Sequence, residues 1–296
     1  MSDRTLYLGP LTDSRRWDHV PLRADDVIVV TPPKSGTTWM QTILALLFSG
    51  DPDVHPDLKT AMPWLDFRHR EIGEVAGRLA AQTRRRSLKS HTPLDGLPIH
   101  PEAHYICVFR HPLDAHFSFR NHARLVPFDW FDPWYPQDDP DRRTFRRFLD
   151  GGAEGFDTDV MPLAHILRHY DSALALAHRP NVTLFHYADM TRDLPGTVRQ
   201  LADLLGLSHP PALMEALTAA ATFAHMKSDP ARYAPLPDNA GTGASFFHSG
   251  SSGKWHGQLT TEELAAYEAV LTARLSPADR AWLEDGSGLS QPDPPV

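Results

Sequence analysis

The sequence predicts a three-layer α/β fold: a central parallel sheet between layers of helices, with a P-loop-like phosphate-binding loop at one end of it. Three observations point there. Short apolar, β-branched runs alternate with helical patterns along the 296 residues, as in parallel strands joined by helices. The first such run, Asp26-Val27-Ile28-Val29-Val30, passes through a tight glycine-containing loop directly into a helix. No internal repeat or long low-complexity linker breaks the order, so a single domain over residues 1–296 is expected, with residues 286–296 a disordered tail.

The elements follow in turn. A continuous β-branched run makes Val27–Thr31 a buried strand. A helix then covers Thr37–Phe48, and Gly50 stands where it should stop. A helical pattern at Gly73–Thr83 precedes a second strand, Ser87–Ser90. The run Tyr105-Ile106-Cys107-Val108-Phe109 is the third strand and buries the single cysteine as a small apolar side chain that has no disulfide partner. Helices at Leu113–Arg124 and Met161–His178, a strand at Val182–Tyr187, and helices at Pro195–Leu205, Pro211–Ala221 and Thr261–Arg274 complete the plan. Two long irregular segments remain. Residues 126–141 carry Phe128, Trp130, Phe131, Trp134 and Tyr135, either as an acceptor-binding wall or as a self-packed surface loop; residues 229–253 are rich in Pro, Gly, Ser and Ala.

Composition narrows the function classes. Apolar residues make up 41% of the chain, ample for a sizeable core. A formal net charge of −8 argues against a nucleic-acid or anionic-membrane partner, since such binding depends on Lys and Arg neutralising phosphates. The stretch Met1–Thr5 lacks the apolar core of a signal peptide. The longest apolar run, Thr42 to Phe48, falls far short of the roughly 20 residues that span a bilayer. The expectation is a cytoplasmic protein acting on small molecules, without membrane insertion and with its oligomeric state open.

Chemistry concentrates in three places. In Thr31-Pro32-Pro33-Lys34-Ser35-Gly36-Thr37-Thr38-Trp39, free backbone N–H groups and the positive end of a helix dipole would face an anion. Ser35, Thr37 and Thr38 add hydroxyls, and Lys34 adds a charge. The lysine precedes the only glycine by two residues, so this is not the Gly-x4-Gly-Lys-[Ser/Thr] loop of ATP- and GTP-binding proteins. In Ser87-Leu88-Lys89-Ser90-His91-Thr92-Pro93, Lys89 and His91 share one side of a strand, an ammonium beside an imidazole suited to in-line transfer onto a hydroxyl. In Arg110-His111-Pro112-Leu113-Asp114-Ala115-His116-Phe117-Ser118, an arginine at a strand end and a serine on the next helix lie on the rim where such folds bind ligands. Arg110 could equally pair with Asp114. His165 and His169 share a helix face, but no further zinc ligands are evident, so no metal is expected.

Pro33-Lys34-Ser35-Gly36-Thr37-Thr38-Trp39 resembles the 5′-phosphosulfate loop of the cytosolic-type sulfotransferase family, in a bacterial-like form. The resemblance implies an enzyme using 3′-phosphoadenosine 5′-phosphosulfate (PAPS) as sulfuryl donor, releasing 3′,5′-bisphosphoadenosine (PAP), with no obligatory metal. Lys89-Ser90-His91-Thr92-Pro93 is similar to the family's Lys-[Thr/Ser]-His-x-Pro motif, which implies that His91 is the catalytic base, with Lys34 and Lys89 supporting charge. Arg110 and Ser118 reproduce the family's 3′-phosphate pair, eight residues apart. Looser likenesses imply that Tyr187 lies near the nucleotide and that Phe223 and Trp39 sandwich the adenine, although Phe223 also reads as a core residue. Phe246-Phe247-His248-Ser249-Gly250-Ser251-Ser252-Gly253-Lys254-Trp255 resembles the family's Arg-Lys-Gly-x-x-Gly-x-Trp segment. His248 and Ser249 replace its two basic residues, which implies weaker donor binding or compensation by Lys254 or another residue; Gly250 keeps its place. The matches run in family order over residues 23 to 257. The acceptor implied is a small, apolar or amphipathic hydroxyl compound (phenol, alcohol or glycolipid). A nucleotide-dependent kinase, or a non-catalytic nucleotide-binding protein, would share the cradle.

Overall fold

The computed structural model describes residues 4–54, 58–124, 135–136, 138–139, 142–151, 157–229, 233 and 252–287. Four strands, β1 (Val27–Val30), β2 (Ser87–Ser90), β3 (His104–Phe109) and β4 (Val182–His186), form one all-parallel sheet in the order β2-β1-β3-β4. Val29 lies opposite Lys89 on one side and Ile106 on the other, which brings the carboxyl ends of the strands to one edge. From β1 the chain moves to one neighbour, β2, and then returns past β1 to β3. The order therefore reverses at β1, and the crevice beyond its carboxyl end is where folds of this kind bind ligands.

The helices are α1 (Thr37–Ser49), α2 (Ile72–Ala81), α3 (Pro112–Ala123), α4 (Arg143–Asp150), α5 (Asp157–Val160), α6 (Leu163–Leu174), α7 (Tyr187–Arg192), α8 (Leu194–Leu204), α9 (Pro211–Ala220), α10 (Phe223–Ser228), α11 (Thr261–Arg274) and α12 (Pro277–Asp285). Alternate strand residues feed two cores. Val29, Ile106, Val108 and Phe185 pack with Met40, Ile43, Leu44 and Leu47 of α1 and with Val198 and Leu201 of α8. Ile28, Val30, Leu88, Tyr105, Cys107 and Phe109 pack on the other face with Leu79 of α2, Leu113 of α3, Ile166 and Tyr170 of α6, and Trp282 of α12. A sheet covered on both faces needs apolar residues at consecutive positions, which explains the unbroken run of β1. At roughly 1.5–3 kcal/mol for each large apolar side chain buried, α1 is among the most firmly docked helices, and it carries the loop with it.

Several boundaries differ from expectation for local reasons. β4 stops at His186, whose ring accepts the Ala188 N–H and caps α7, so Tyr187 opens a helix instead of closing a strand. Helix α6 starts at Leu163, because Met161 has a left-handed φ of 50° and Pro162 supplies the N-cap. The tail is held further than expected: Gly286 N–H bonds Trp282 O at 2.8 Å and Ser287 N–H bonds the Asp189 carboxylate. Residues 288–296 lie outside the described part. Helix α11 keeps its expected bounds, fixed by a capping box between Thr260 and Glu263.

The β2 edge is covered. Lys89 N–H donates to Pro63 O at 2.9 Å and Lys89 O accepts from Leu65 N–H at 3.0 Å, so residues 63–65 occupy the open side of the strand. At the opposite end of the sheet Arg86 grips both oxygens of buried Asp26, at 2.7 and 2.5 Å.

Candidate active site

The loop between β1 and α1 is shaped by two left-handed residues, Lys34 (φ 65°) and Gly36 (φ 108°). Gly36 is required twice over: a Cβ there would also meet the Tyr187 ring at 3.0 Å. Gly36 is the N-cap of α1 but offers no side-chain acceptor, and the first turn carries no acidic residue. The amino end of α1 is thus left for an external anion. Ser35 is buried, the Thr37 hydroxyl lies 2.6 Å from that of Thr31, and Thr38 is half-buried. Burial pushes the Lys34 ammonium down to about 7, and the charges of Lys89, Arg110 and Lys254 push it the same way.

His91 follows β2 immediately and is fixed on every side. Its Nδ1 lies 2.8 Å from Thr31 O, and a carbonyl only accepts, so Nδ1 carries the proton and Nε2 holds the free lone pair. Its backbone N–H donates to Asp66, which also accepts from the Thr92 hydroxyl at 2.9 Å, while its carbonyl accepts from His169 Nε2 at 3.0 Å. Burial first, then the charge of Lys89, hold His91 well below the usual imidazole value, and it is neutral. Trp64 joins the two candidate residues of this strand: the His91 ring stands edge-on to it at 4.9 Å, and Lys89 Nζ lies 4.7 Å over it. Lys89 is itself lowered to about 8 by burial.

On the other side of β1, Arg110 follows β3. Its guanidinium lies 4.4 Å over the Tyr187 ring, 3.4 Å from Lys34 O through Nη1, and 4.0 Å from Asp114. Ser118 is half-buried one turn beyond Asp114 on α3, and His122 lies one turn further. Asp114 accepts the backbone N–H groups of Gly253 and Lys254, each at 2.9 Å. Trp39 donates its indole N–H to Ala221 O at 2.7 Å and meets Tyr187 edge-on at 5.3 Å. Phe223, two residues beyond Ala221, packs half-buried against the same core.

The structure thus brings Lys34, Ser35, Gly36, Thr37, Thr38, Trp39, Lys89, His91, Arg110 and Tyr187 around one crevice, with Ser118 and Phe223 on its flanking helices. His248, Ser249 and Gly250 lie outside the described residues, as do residues 128–134; Tyr135 turns inward onto Phe119 at 5.2 Å. Both His165 and His169 are buried, their rings 4.8 Å apart. Among the described residues no group of three or more His, Cys, Asp or Glu is arranged to hold a metal ion. Sequence reasoning missed Thr31, Asp66 and His122. His122 feels the charges of Lys34 and Lys89, and its spacing of four from Ser118 was the one signal that could have found it.

An open helix terminus, convergent cations and a fixed neutral imidazole define an α/β enzyme that transfers an anionic group. Its family is the sulfotransferases: the sulfotransferase domain matches residues 24–278, and the chain belongs to that family. It is 33% identical over 315 residues to a glycolipid sulfotransferase of Mycobacterium bovis (strain BCG / Pasteur 1173P2), covering 97% of this chain and 96% of that protein. Among solved structures it is similar to mouse sulfotransferase SULT7A1 complexed with PAP, with a TM-score of 0.68, 21% identity and coverage of 89% and 88%. It is also similar to retinol dehydratase in complex with androsterone and inactive cofactor PAP, with the same TM-score, 21% identity and coverage of 93% and 90%.

Proposed function

We propose that this enzyme moves a sulfuryl group from PAPS to the hydroxyl of an apolar or amphipathic acceptor, with a glycolipid as the first choice. His91 takes the acceptor proton on Nε2 as the oxygen attacks sulfur in line with the departing phosphate oxygen. Lys34 balances the charge that grows on that oxygen, and Lys89 with the loop N–H groups balances the sulfuryl oxygens. Arg110 and Ser118 bind the 3′-phosphate, Trp39 and Phe223 the adenine. The observation that carries this reading is the 2.8 Å contact of His91 Nδ1 with Thr31 O, which fixes the tautomer a general base needs in a ring held neutral beside two lysines. The glycolipid choice rests on the mycobacterial relative and on the aromatic side chains of Trp64 and Phe67, stacked at 4.9 Å beside His91. Among the described residues no helix is long and apolar enough to cross a membrane. A cytoplasmic location suits the one buried thiol, which burial raises to about 12.

The test is transfer of labelled sulfate from PAPS to a glycolipid, a phenol and a sterol by wild type and by His91→Ala. The variant is expected to lose at least about a thousandfold in kcat, within the usual range for a general base, while PAP affinity changes less than about threefold. Turnover by His91→Ala within tenfold of wild type would remove His91 from the role. A wild type active only on highly charged sugars would overturn the acceptor class.

A further inference from the structure

The backbone of His91 lies where the sheet runs out. On the inner side of β2 the ladder reaches Ser90, whose carbonyl accepts from Thr31 N–H at 3.2 Å. On the outer side the 63–65 strip bonds Lys89 and goes no further, because Phe67 N–H turns back to Trp64 O at 3.4 Å. The N–H and C=O of His91 are therefore left to side chains, and a buried peptide needs both satisfied. Asp66 accepts the N–H at 3.2 Å, and His169 Nε2 meets the carbonyl at 3.0 Å. A carbonyl only accepts, so Nε2 of His169 carries its proton. His169 is 1% exposed on the buried face of α6, and burial first holds it well below the usual imidazole value, so it is neutral. One turn further along the same helix, Ser172 Oγ accepts Leu94 N–H at 3.0 Å and donates to His169 O at 2.9 Å. Helix α6 thus grips the 91–94 turn at both ends, and Ile166 and Tyr170 anchor that helix in the core. The grip matters because misplacing a reacting group by about 1 Å can cost about a hundredfold in rate. The bond from Nδ1 to Thr31 O orients the His91 ring at its own edge; the peptide from which the ring hangs needs a separate hold.

We propose that His169 is a positioning residue for the reaction: its hydrogen bond to the His91 carbonyl fixes the peptide that carries the base and so aims Nε2 of His91 at the acceptor oxygen. It acts through His91 and needs no contact with donor or acceptor. This assignment rests on the reading of His91 as the base.

The test compares His169→Gln with His169→Asn, beside His91→Ala. Both replacements are polar amides with an N–H donor. The glutamine nitrogen reaches about as far from the backbone as imidazole Nε2, and the asparagine nitrogen falls short of the carbonyl. The stoichiometry of PAP binding counts folded sites, and kcat is expressed per site. His169→Gln should keep kcat within about threefold of wild type, and His169→Asn should lose about tenfold to a hundredfold, with acceptor KM and PAP affinity within about threefold in both. The acid limb of kcat/KM against pH should also move up in His169→Asn, because a His91 ring released from its buried pose regains proton affinity. The charged and titratable groups facing that ring, Lys89 from β2, Lys34 from the loop, His165 from α6 and Asp66 beside the strip, are the same in both variants. Equal kcat in the two variants, or a fall in His169→Asn with the acid limb unmoved, overturns the role of His169 and leaves the base reading standing. Turnover by His91→Ala within tenfold of wild type overturns both.

Discussion

Lys34 stands at about 7 and Lys89 at about 8 because each is desolvated, with Lys34 also crowded by like charges. A bound polyanion reverses that balance and raises both. At pH 8 the empty site therefore holds fewer protons than the occupied one, and PAP binding should take up about one proton, since the ligand's phosphates are already fully ionised there. Titrations in two buffers of different ionisation enthalpy measure this directly; proton release at pH 8 would contradict the site's charge pattern. The residues of the loop were legible in sequence because they are contiguous and their chemistry is local. The bond from His91 to Thr31 was not, because it joins residues 60 apart that only the pairing of β1 with β2 brings together. Asp66 was hidden for the same reason: a carboxylate next to Trp64 announces nothing until the chain folds it onto the His91 backbone.

At the level of elements, α3 does two jobs. Its amino end packs Leu113 into the core, while Asp114, Ser118 and His122 form a stripe along one side. The Asp114 clamp ties that helix to a segment 139 residues away. Asp114→Ala should cost about 2–3 kcal/mol in urea unfolding, with two part-buried N–H groups left unpaired, and should also weaken PAP binding by loosening the 253–254 loop beside Arg110. Asp114→Asn, which keeps an acceptor, should fall between the two; a destabilised Asp114→Ala with unchanged PAP affinity would separate the clamp from the ligand. The long elements were readable from period and punctuation, Thr261–Arg274 most clearly. Helices α7 and α10 have six residues each, too few for a helical period to emerge, and their starts are set by His186 and Thr222 acting as caps. Helix α12 was not expected, although Ser276 and Pro277 mark its start, because nine residues with Trp282 and Leu283 as the buried pair show little helical period.

Across the whole molecule, buried histidines set the response to acid. Burial lowers His165 and His111 to about 4 and His116 to about 3. A group whose pKa falls on folding leaves stability intact above its unfolded value, about 6.5, and withdraws it as pH drops towards the folded value. Each such histidine takes up to about 1.4 kcal/mol per pH unit in that window. The raised carboxyls of Asp66 and Asp159 act in the opposite sense but are fewer. Lys34 and Lys89 also bind fewer protons folded than unfolded, so the melting temperature should rise gently from pH 7 to 8 and fall steeply below about 6.5. His116 lies among Phe117, Phe145 and Phe148, and among the described residues neither ring nitrogen has a hydrogen-bond partner. His116→Phe should make the acid slope shallower, and an unchanged slope would assign the effect to other groups. None of this was visible in a count of 17 histidines, since burial is a property of the packed cores and not of the residue type.

The strip at 63–65 that lies along β2 carries a further consequence. It is both the seam that closes a raw sheet edge and, through Trp64, the neighbour of Lys89 and His91. Many enzymes diversify by exchanging a loop that the scaffold hardly notices. Here that freedom is curtailed: a replacement segment must reproduce two backbone bonds to Lys89 before its side chains can address a new substrate. A graft that fails to do so leaves an exposed template onto which another copy of the chain can pair. Variation along this strip is therefore limited to side-chain swaps on an unchanged backbone course.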